Sequence, residues 1–359
     1  MTPQKPLQKL GVIFGGRSVE HEVSVVSARG GMREADTDRF EVVPFGITRR
    51  GAWLTPDETR ARLARVEAGE TRSLGDDEGD GAFAYPEVTA LLRGMDAVFP
   101  IVHGTFGEDG TLQGLLEMAE LPYVGSGVAA SAVGMDKALM RAIFATHGVP
   151  QTDYVVLTDE ETRSPSADTI RRIESELGYP CFVKPANGGS SVGVSRAASR
   201  EDFGEALADA ARYDRKVLVE AAVTGREIEC AVLGNHAPEA SPLGEIRPTT
   251  EFYDYNAKYL DDSAELIVPA QVDAESAERV RSMAVRVYRA LDCAGLARVD
   301  FFLEPDGGVK FIEVNTLPGF TPISMYPRLW QEAGLSYRDL ISRLVDLAFE
   351  RFEEVRSHA

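Results

Sequence analysis

Residues 298–315 constrain the fold of this chain more than any other segment. Two runs with the composition of β-strands, Arg298-Val-Asp-Phe-Phe-Leu and Val309-Lys-Phe-Ile-Glu-Val-Asn, flank a short polar break that contains Asp306-Gly307. An Asp-Gly pair between two such runs is a strong signal for a β-hairpin. The segment therefore predicts two antiparallel strands joined by a tight turn centred on Asp306-Gly307.

A turn centred there fixes which side chains of the hairpin lie together. Asp300 falls opposite Glu313 and Arg298 opposite Asn315, and the alternation of side chains along a strand puts all four on one face. The other face is apolar and carries Val299, Phe301, Leu303, Ile312 and Val314. Two carboxylates directly across a ladder repel each other unless a cation lies between them. Because Asp300, Glu313 and Asn315 offer the oxygen ligands that suit Mg²⁺ or Mn²⁺, the polar face is either a metal site or a solvated surface on which two acids align by chance.

A glycine-rich loop, Lys184-Pro-Ala-Asn-Gly-Gly-Ser-Ser-Val-Gly193, follows a predicted strand. Its glycines allow backbone N–H groups to approach an anion, and Ser190 and Ser191 add hydroxyl donors. The loop lacks the Gly-Lys-Ser/Thr ending of a Walker A motif. Lysine is rare in this chain, and Lys137, Lys184 and Lys258 each lie in a motif-like context, as expected for point charges that bind phosphate. The alternatives are a flexible turn and lysines that merely solvate the surface.

A second polar cluster is predicted where the first strand ends. Residues 15–24, Gly-Gly-Arg-Ser-Val-Glu-His-Glu-Val-Ser, lead from a strand into a helix but lack the GxGxxG pattern of dinucleotide sites. Glu20 is either an acid that suits a helix N-terminus or a counter-ion for a substrate ammonium group. His103 lies in a glycine-rich loop on the same rim, where it is either structural or a ligand-binding residue.

The first third of the chain alternates between strand-like and helix-like patterns. Short apolar runs, each typical of a buried parallel strand, cover residues 12–14, 42–45 and 97–102. This alternation predicts a doubly wound α/β domain over residues 1–125, with ligands beyond the carboxyl ends of the strands. The charged, glycine-containing stretch from Thr55 to Asp80 is interpreted as a mostly solvated surface insertion.

The pattern changes after about residue 125. Strand-like runs flank the glycine-rich loop, and Phe203, Leu207 and Ala210 mark an amphipathic helix, so residues 126–222 are expected to form a small α+β unit. Residues 223–359 hold a further strand, a long helix, the hairpin and a last helix capped by Ser336. The chain is therefore expected to be an α/β protein of three domains.

Charge and cysteine content narrow the classes of partner and compartment. Of the 359 residues, 38 are Lys or Arg and 57 are Asp or Glu, which gives a formal net charge of −19. A surface this acidic repels phosphate backbones and anionic lipid, so neither nucleic acid nor a membrane is expected as a partner. The isolated Cys181, Cys230 and Cys293 indicate neither disulfides nor a zinc site. With no signal-peptide pattern and no run of about 18 apolar residues, the protein is expected to be cytoplasmic.

Six segments of the chain together resemble one enzyme family. They are GGRSVEHEVS at 15–24, HGTFGEDGTLQG at 103–114, MDK at 135–137, KPANGGSSVGV at 184–194, EFYDYNAKY at 251–259, and GLARVDFF with FIEVNTLPGFTPIS between 295 and 324. In order and spacing they are similar to the D-alanine–D-alanine ligases of the ATP-grasp superfamily. The resemblance implies a three-domain ATP-grasp fold with ATP between the central and C-terminal domains, two Mg²⁺ or Mn²⁺ ions, and a homodimer.

The activity that this resemblance implies is ATP-dependent peptide-bond formation for peptidoglycan synthesis, and hence for the cell wall and cell shape. The carboxylate of a first D-alanine attacks the γ-phosphate of ATP, which gives an acylphosphate and ADP. The amine of a second D-alanine then displaces phosphate. Because phosphorylation supplies the leaving group that a free carboxylate lacks, charge stabilisation is the main task of such a site.

The resemblance also implies roles for individual residues. Those implied in ATP binding are Lys137, Lys184, Gly189, Ser190, Ser191, Glu220, Glu227, Lys258 and Asn315. Those implied in binding the two D-alanines are Glu20, His103, Tyr259, Arg298, Ser324 and Met325. The implied metal ligands are Asp300, Glu313 and Asn315. The implied catalytic groups are Glu20, Ser190, Tyr259, Arg298 and a backbone N–H near Gly319. Three of them, Glu20, Ser190 and Tyr259, are expected to form a hydrogen-bonded latch that excludes water from the acylphosphate.

Two other interpretations remain open. D-Serine or D-lactate is an alternative second substrate, although relatives that use D-lactate differ around Tyr259, and the intact Tyr253-Asp-Tyr-Asn-Ala-Lys-Tyr259 favours an amine nucleophile. From another class, the chain could be a nucleotide-binding module without catalysis. The joint presence of Asp300, Glu313, Asn315 and Arg298 argues against a catalytically inactive module.

Overall fold

The computed structural model describes residues 6–79, 85–248 and 264–358. Its first part is a parallel sheet with the strand order β2-β1-β3, formed by β1 (Gln8–Gly15), β2 (Phe40–Ile47) and β3 (Ala97–Ile101). The helices of this part are α1 (His21–Glu34), α2 (Pro56–Glu67), α3 (Pro86–Leu92) and α4 (Thr111–Met118). Phe14 of β1 shares a hydrophobic core with Val25 of α1, whereas its neighbour Ile13 shares another with Leu116 of α4. Both faces of the sheet are therefore covered, which confirms the doubly wound prediction.

The stretch between Thr55 and Asp80 is more ordered than a solvated insertion. Thr55 caps α2 in a capping box with Glu58, and α2 packs against β2. Leu63 and Leu74 are buried in the core beneath it. Most described residues of the stretch are exposed or half-buried, as a surface insertion predicts, but Leu63 and Leu74 cover the sheet, which that interpretation did not foresee.

The central part forms a separate small sheet. Its helices and strands are α5 (Val128–Met135), α6 (Lys137–Thr146), β4 (Tyr154–Leu157), α7 (Asp159–Arg163), α8 (Ala167–Glu176), β5 (Cys181–Pro185), β6 (Ser195–Ala197), α9 (Arg200–Ala210) and β7 (Val217–Ala221). The strands are antiparallel in the order β4-β7-β5-β6. Phe203, Leu207 and Ala210 of α9 are buried against this sheet, as the sequence pattern predicts.

The last part is built on an antiparallel sheet with the strand order β10-β9-β8-β11-β12. Its helices and strands are β8 (Arg226–Leu233), β9 (Glu239–Pro248), β10 (Ala264–Ile267), α10 (Ala274–Ala290), β11 (Leu296–Leu303), β12 (Val309–Asn315), α11 (Met325–Glu332) and α12 (Tyr337–Ser357). One face of the sheet packs on α10 through residues such as Val280 and Val299. The other face carries the polar row predicted from the hairpin.

The hairpin of β11 and β12 has the predicted register at its far end but not at its turn. Arg298 pairs with Asn315 and Asp300 with Glu313, which confirms both predicted pairs. The turn, however, is a three-residue loop, because Glu304 N donates to Gly308 O at 2.8 Å and Gly307 has φ +83°. A β-bulge after Asp300 removes the resulting offset of one residue.

The bulge changes the faces of two neighbouring side chains. Phe311 pairs with Phe301 and is fully buried, whereas Ile312 is only half-buried and lines a cavity. The prediction that Ile312 belongs to the apolar face is therefore wrong. The extra residue of the bulge interrupts the alternation on which that prediction was based.

The C-terminal helix shares a core with the N-terminal sheet as well as with the sheet that precedes it. Leu340 and Leu344 of α12 share a buried core with Leu10 and Phe14 of β1, and Arg39 pairs with Asp346. The domain boundaries at residues 125 and 222 remain predictions. Among the described residues, no helix is long and apolar enough to cross a membrane.

Candidate active site

Two adjoining cavities lie where the three sheets meet. The larger, of about 1010 Å³, opens between the rim of the N-terminal sheet, the glycine-rich loop and the last sheet. The smaller, of about 460 Å³, lies between the central and last sheets. Both are lined by Lys137, Gly188, Gly189 and Glu313. These shared residues form the junction through which a ligand in one cavity would meet a ligand in the other.

The cavities gather most of the residues that the sequence predicts for the site. Those lining the larger cavity include Glu20, His103, Ser190, Arg298, Asn315, Gly319, Ser324 and Met325. Those lining the smaller one include Lys184, Ser191, Glu220 and Glu227. Asp300 is only 1% exposed and contacts Arg298 and Asn315. Lys258 and Tyr259 lie outside the described residues.

A row of three carboxylates crosses the last sheet beside the larger cavity. Glu229 of β8 pairs with Asp300 of β11, and Asp300 pairs in turn with Glu313 of β12. Arg298 donates from Nε to Asp300 Oδ1 at 2.8 Å and from Nη2 to Asp300 Oδ2 at 2.7 Å, and its Nε also lies 3.2 Å from Glu229 Oε2. Sequence reasoning missed Glu229. Its only signal was a charged residue between the apolar Ile228 and Cys230 of β8.

The carboxylates of this row stabilise the positive charge of Arg298. Burial alone lowers the pKa of a guanidinium, but the carboxylates of Asp300 and Glu229 outweigh burial and raise the pKa of Arg298 well above its ordinary value. The side chain is 17% exposed and lines the larger cavity. Arg298 is therefore a fixed cation in the wall of this cavity.

The polar face of the hairpin fits a divalent cation by its donor atoms. Asn315 Nδ2 donates a hydrogen bond to Asp300 Oδ2 at 3.2 Å. The atoms that remain to bind a metal ion are therefore all oxygens, from Asp300, Glu313 and Asn315. Among the described residues, no three His, Cys, Asp or Glu side chains are grouped closely enough to hold a metal ion by themselves. A site here thus needs the Asn315 amide and oxygens from a ligand or water, as is usual for Mg²⁺ bound with phosphates.

Lys137 stands at the junction of the cavities because it begins α6. Asp136 caps this helix by accepting from the backbone N–H groups of Ala138 and Leu139, both at 3.1 Å. Lys137 Nζ donates to Gly188 O at 2.6 Å, which ties the helix to the glycine-rich loop. Burial lowers the pKa of Lys137. An ammonium group that is held with little water around it favours an anionic ligand.

A buried ion cluster lines the smaller cavity. Glu220 pairs with Lys184 and with Arg141, which is 1% exposed and was not predicted from the sequence. Burial would raise the pKa of Glu220, but Lys184 and Arg141 outweigh it and lower the pKa. The cluster fixes Lys184 at the wall of the cavity. The role of Glu220 in ATP binding stays a prediction.

The glycine-rich loop has a strained backbone at its tip. Ser190 and Ser191 adopt φ of +51° and +58°, the left-handed region that non-glycine residues rarely occupy. The base of the loop is fixed, because Asn187 donates from its backbone and side chain to Asp214 at 2.8 and 2.9 Å. Strain of this kind clusters at ligand-binding loops, where it aims backbone N–H groups at an anion.

Glu20 lies where two loops approach each other. A Cβ atom added to Gly104 or to Gly189 would stand 3.0 or 3.3 Å from Glu20 Oε2. The carboxylate is thus close to both the His103 loop and the glycine-rich loop, and it is only 7% exposed. This position agrees with the expected latch between Glu20 and Ser190, whose third member is Tyr259.

His103 and Glu108 fasten the loop after β12 to the N-terminal rim. His103 is 3% exposed and bonds through Nδ1 to Leu317 O at 3.0 Å and through Nε2 to Ser27 Oγ at 3.2 Å. Burial lowers the pKa of His103. Glu108 accepts from Gly104 N at 2.6 Å and from Leu317 N at 3.2 Å. Sequence reasoning missed Glu108, since its role depends on a loop more than 200 positions away.

The same loop carries Gly319 and Ser324. Ser324 Oγ accepts from Thr321 N at 3.1 Å, and a Cβ atom on Gly319 would lie 3.2 Å from this oxygen. Phe320 N donates to Ser27 Oγ at 3.4 Å. The backbone near Gly319 is therefore fixed from both sides, as a preorganised donor for an oxyanion requires.

Two family models match most of the chain. The model described as "D-ala D-ala ligase N-terminus" matches residues 9–126, and that described as "D-ala D-ala ligase C-terminus" matches residues 143–346. The chain belongs to the D-alanine–D-alanine ligase family. The resemblance drawn from six sequence segments is thereby confirmed.

Individual relatives cover nearly the whole length of this family member. A D-alanine–D-alanine ligase of Geobacillus thermodenitrificans is 48% identical and covers 96% of each chain. D-alanine–D-alanine ligase A of Chromobacterium violaceum is 49% identical and covers 96% of this chain and 95% of its own. Among solved structures, the D-alanine–D-alanine ligase of Coxiella burnetii has a TM-score of 0.81 at 33% identity, with 98% and 97% of the two chains covered. VanG D-Ala:D-Ser ligase of Enterococcus faecalis has a TM-score of 0.80 at 32% identity, with 96% and 100% covered.

Proposed function

We propose that this family member uses ATP to join two D-alanine molecules, releasing ADP and phosphate, and so supplies a peptidoglycan precursor. The observation that carries the proposal is the junction of the two cavities. There Lys137, Glu313 and the glycine-rich loop lie between a smaller cavity suited to a nucleotide and a larger one that contains Glu20 and Arg298. Phosphoryl transfer requires the acceptor carboxylate and the cations that bind the phosphates to lie at one place.

The first step is phosphoryl transfer across the junction. Phe182, Phe302 and Ile312 give the smaller cavity apolar walls for a base, and Glu227 offers a carboxylate to a ribose. Lys137 and Lys184 bind the phosphates, and the strained tip of the glycine-rich loop presents N–H groups to them. Two Mg²⁺ or Mn²⁺ ions, held by Asp300, Glu313 and Asn315, would neutralise phosphate charge during the transfer. A carboxylate of D-alanine in the larger cavity receives the γ-phosphoryl group.

The second step is displacement of phosphate by an amine. Glu20 faces the ammonium group of the first D-alanine, while Ser324 and Met325 shape the place for the second. The deprotonated amine attacks the acyl carbon, the new C–N bond forms, and the C–O bond to phosphate breaks. Arg298 and the N–H near Gly319 stabilise the oxyanion of the tetrahedral intermediate. Closure of the latch through Glu20, Ser190 and Tyr259 prevents water from replacing the amine.

The decisive experiment offers each nucleophile in turn. The purified protein is given ATP and Mg²⁺ with D-alanine alone, with D-alanine and D-serine, or with D-alanine and D-lactate, and phosphate release and products are measured. We expect D-alanyl-D-alanine as the main product. Absence of any ATP-dependent product from D-alanine alone would refute the proposal. A dominant product with D-serine would favour the activity named for VanG, and a dominant product with D-lactate would favour the D-lactate alternative.

We further propose a homodimer in the cytoplasm, on the basis of the family resemblance. The absence of a membrane-spanning helix from the described residues is compatible with this proposal. Light scattering of the purified chain across a range of concentrations is the test, with a mass of about twice 39.0 kDa expected. A mass that stays at the value of one chain would contradict the dimer.

A further inference from the structure

Glu229 is a buried acid for which the proposed reaction has no role. Its side chain is 2% exposed, and its Oε2 lies 3.2 Å from Arg298 Nε. It stands next to Asp300 in the ladder, on the side of β11 away from Glu313, because the strand order is β8-β11-β12. A single guanidinium is therefore flanked by two carboxylates, Glu229 and Asp300, that differ in their distance from the candidate metal site.

The two partners of Arg298 make conflicting demands. Arg298 uses both oxygens of Asp300, at 2.8 and 2.7 Å, yet Asp300 is also a proposed metal ligand. A divalent cation at Asp300 weakens this pair, since it draws electron density from the carboxylate and repels the guanidinium. Arg298 then needs a second anchor if it is to stay aimed at the cavity.

Glu229 satisfies the requirements for that anchor. It approaches Arg298 from the strand remote from Glu313 and Asn315, so a metal ion held by the hairpin does not occupy its position. A buried carboxylate is costly without a counter-charge, which keeps Glu229 and Arg298 together. Partners of this kind orient the groups that touch a metal or ligand.

We propose that Glu229 is a positioning residue that holds Arg298 in place while Asp300 binds the metal ion. The inference rests on the proposed metal role of Asp300 and Glu313. It implies that Glu229 lowers the competition between Arg298 and the metal for Asp300. Removing the charge of Glu229 leaves Arg298 bound more tightly to Asp300, which weakens metal binding and displaces the guanidinium from the reacting group.

The test compares Glu229→Gln with the full-length wild type. Mn²⁺ binding in the presence of ADP is measured by the EPR signal of free Mn²⁺, without turnover. We expect the affinity for Mn²⁺ and kcat to fall by about 10- to 100-fold each, as is usual for residues that orient metal ligands. The KM for ATP should stay within about twofold, since Glu229 does not line the nucleotide cavity. Glu304→Gln is the matched control, because Glu304 pairs with Lys310 at the turn of the same hairpin.

A double-mutant cycle separates positioning from simple loss of negative charge. If Glu229 acts through Arg298, its effect on Mn²⁺ affinity should largely disappear in an Arg298→Ala background. An equal effect in both backgrounds, or an unchanged Mn²⁺ affinity in Glu229→Gln, would overturn the inference. Should Glu229→Gln fail to fold, Glu229→Asp keeps the charge on a side chain one methylene shorter, which moves the carboxylate away from Arg298. A smaller loss of the same sign is then expected, whereas wild-type affinity and kcat would count against the role.

The failure of the metal proposal would look different. In that case Asp300→Asn and Glu313→Gln would bind Mn²⁺ with ADP as the wild type does. If the wild type binds Mn²⁺ through these residues and Glu229→Gln has the same Mn²⁺ affinity, only the positioning role is rejected.

Discussion

Arg298 is the residue on which the charges of the candidate site converge. The protein carries a net charge of −19, and three carboxylates lie in one row beside this guanidinium. A net negative field repels a free nucleotide, but a cation fixed by buried carboxylates acts at short range, where local charge dominates. The acidity of the whole chain is therefore compatible with a phosphorylated ligand at this one place.

Replacement of Arg298 tests its role in the reaction. We expect Arg298→Ala to reduce kcat by about 10²- to 10³-fold or more, by analogy with the removal of one preorganised oxyanion donor. Arg298→Lys keeps a charge near Asp300 but loses the paired hydrogen bonds, so its kcat should also fall. Phosphate release measures kcat, and Arg281→Ala, on the exposed side of α10, is the control. Near-normal turnover in Arg298→Ala would contradict the assignment.

Glu108 gives the stability of the protein a dependence on pH. Burial, together with the charge of Glu20, raises its pKa from 4.5 to about 8. The folded state therefore retains a proton that the unfolded state releases, and the stability that this provides is lost as the pH rises from about 4.5 to about 8. We expect the melting temperature of Glu108→Gln to fall less across this range than that of the wild type.

Thermal unfolding at several pH values between 5 and 8.5 measures this difference. Glu117→Gln is a suitable control, because Glu117 is a partly exposed acid on the neighbouring α4. Parallel pH profiles for the wild type and Glu108→Gln would show that Glu108 titrates normally.

The hairpin of β11 and β12 has the two predicted residue pairs, but its loop and its bulge were not predicted. A loop one residue longer than expected displaces the register, and the bulge at Ile312 restores it before Glu313. The longer loop and the bulge cancel each other's effect on the register at Asp300 and Glu313. The residues between the loop and the bulge keep the shifted register. Phe311 and Ile312 thus exchange the faces that strict alternation assigns to them.

A pair of substitutions in this hairpin distinguishes the two registers. Phe311 is fully buried and packs edge-to-face on Phe144 with ring centroids 4.7 Å apart. Phe311→Ala should therefore lower the free energy of unfolding by about 3–5 kcal/mol. Ile312→Ala should cost much less stability and instead raise the KM for ATP, because Ile312 lines the smaller cavity, where we propose that ATP binds. Denaturant unfolding and ATP kinetics measure the two effects, and the reverse outcome would favour an unbulged strand.

Elements with strong local patterns could be predicted from the sequence, and contacts between distant segments could not. The strands around residues 12–14 and 42–45, the amphipathic α9 and the pairing of Asp300 with Glu313 follow from periodicity and turn residues. Glu229 was missed because its partner, Arg298, lies on another strand, and the bulge at Ile312 was missed because no residue type marks it. The roles of Lys258 and Tyr259 remain predictions.

At the scale of the whole molecule, the two ends of the chain form one core. Leu340, Leu344 and Val345 of α12 lie with Leu10 and Phe14 of β1, more than 300 positions apart in sequence. Trp330 and Tyr337 extend this core toward Phe320 and the loop that carries Gly319. The candidate site is thereby connected to both ends of the chain through buried side chains.

A substitution in α12 should consequently destabilise the whole protein. Leu344 is fully buried, so Leu344→Ala should lower the free energy of unfolding by about 2–5 kcal/mol. Val355 lies on the same helix but is 49% exposed, and Val355→Ala is expected to change stability little. Chemical denaturation measures both variants. Equal effects of the two substitutions would show that α12 is not an integral part of the core.

The core that α12 shares with the N-terminal sheet also affects how the newly made chain can fold. Domains usually fold from the N-terminus as they leave the ribosome. Here part of the core on the N-terminal sheet comes from Leu340 and Leu344, more than 300 positions further along the chain, and that part is missing until those residues have been made. The apolar side chains that α12 covers in the folded protein therefore stay exposed to solvent while the segments between are being made.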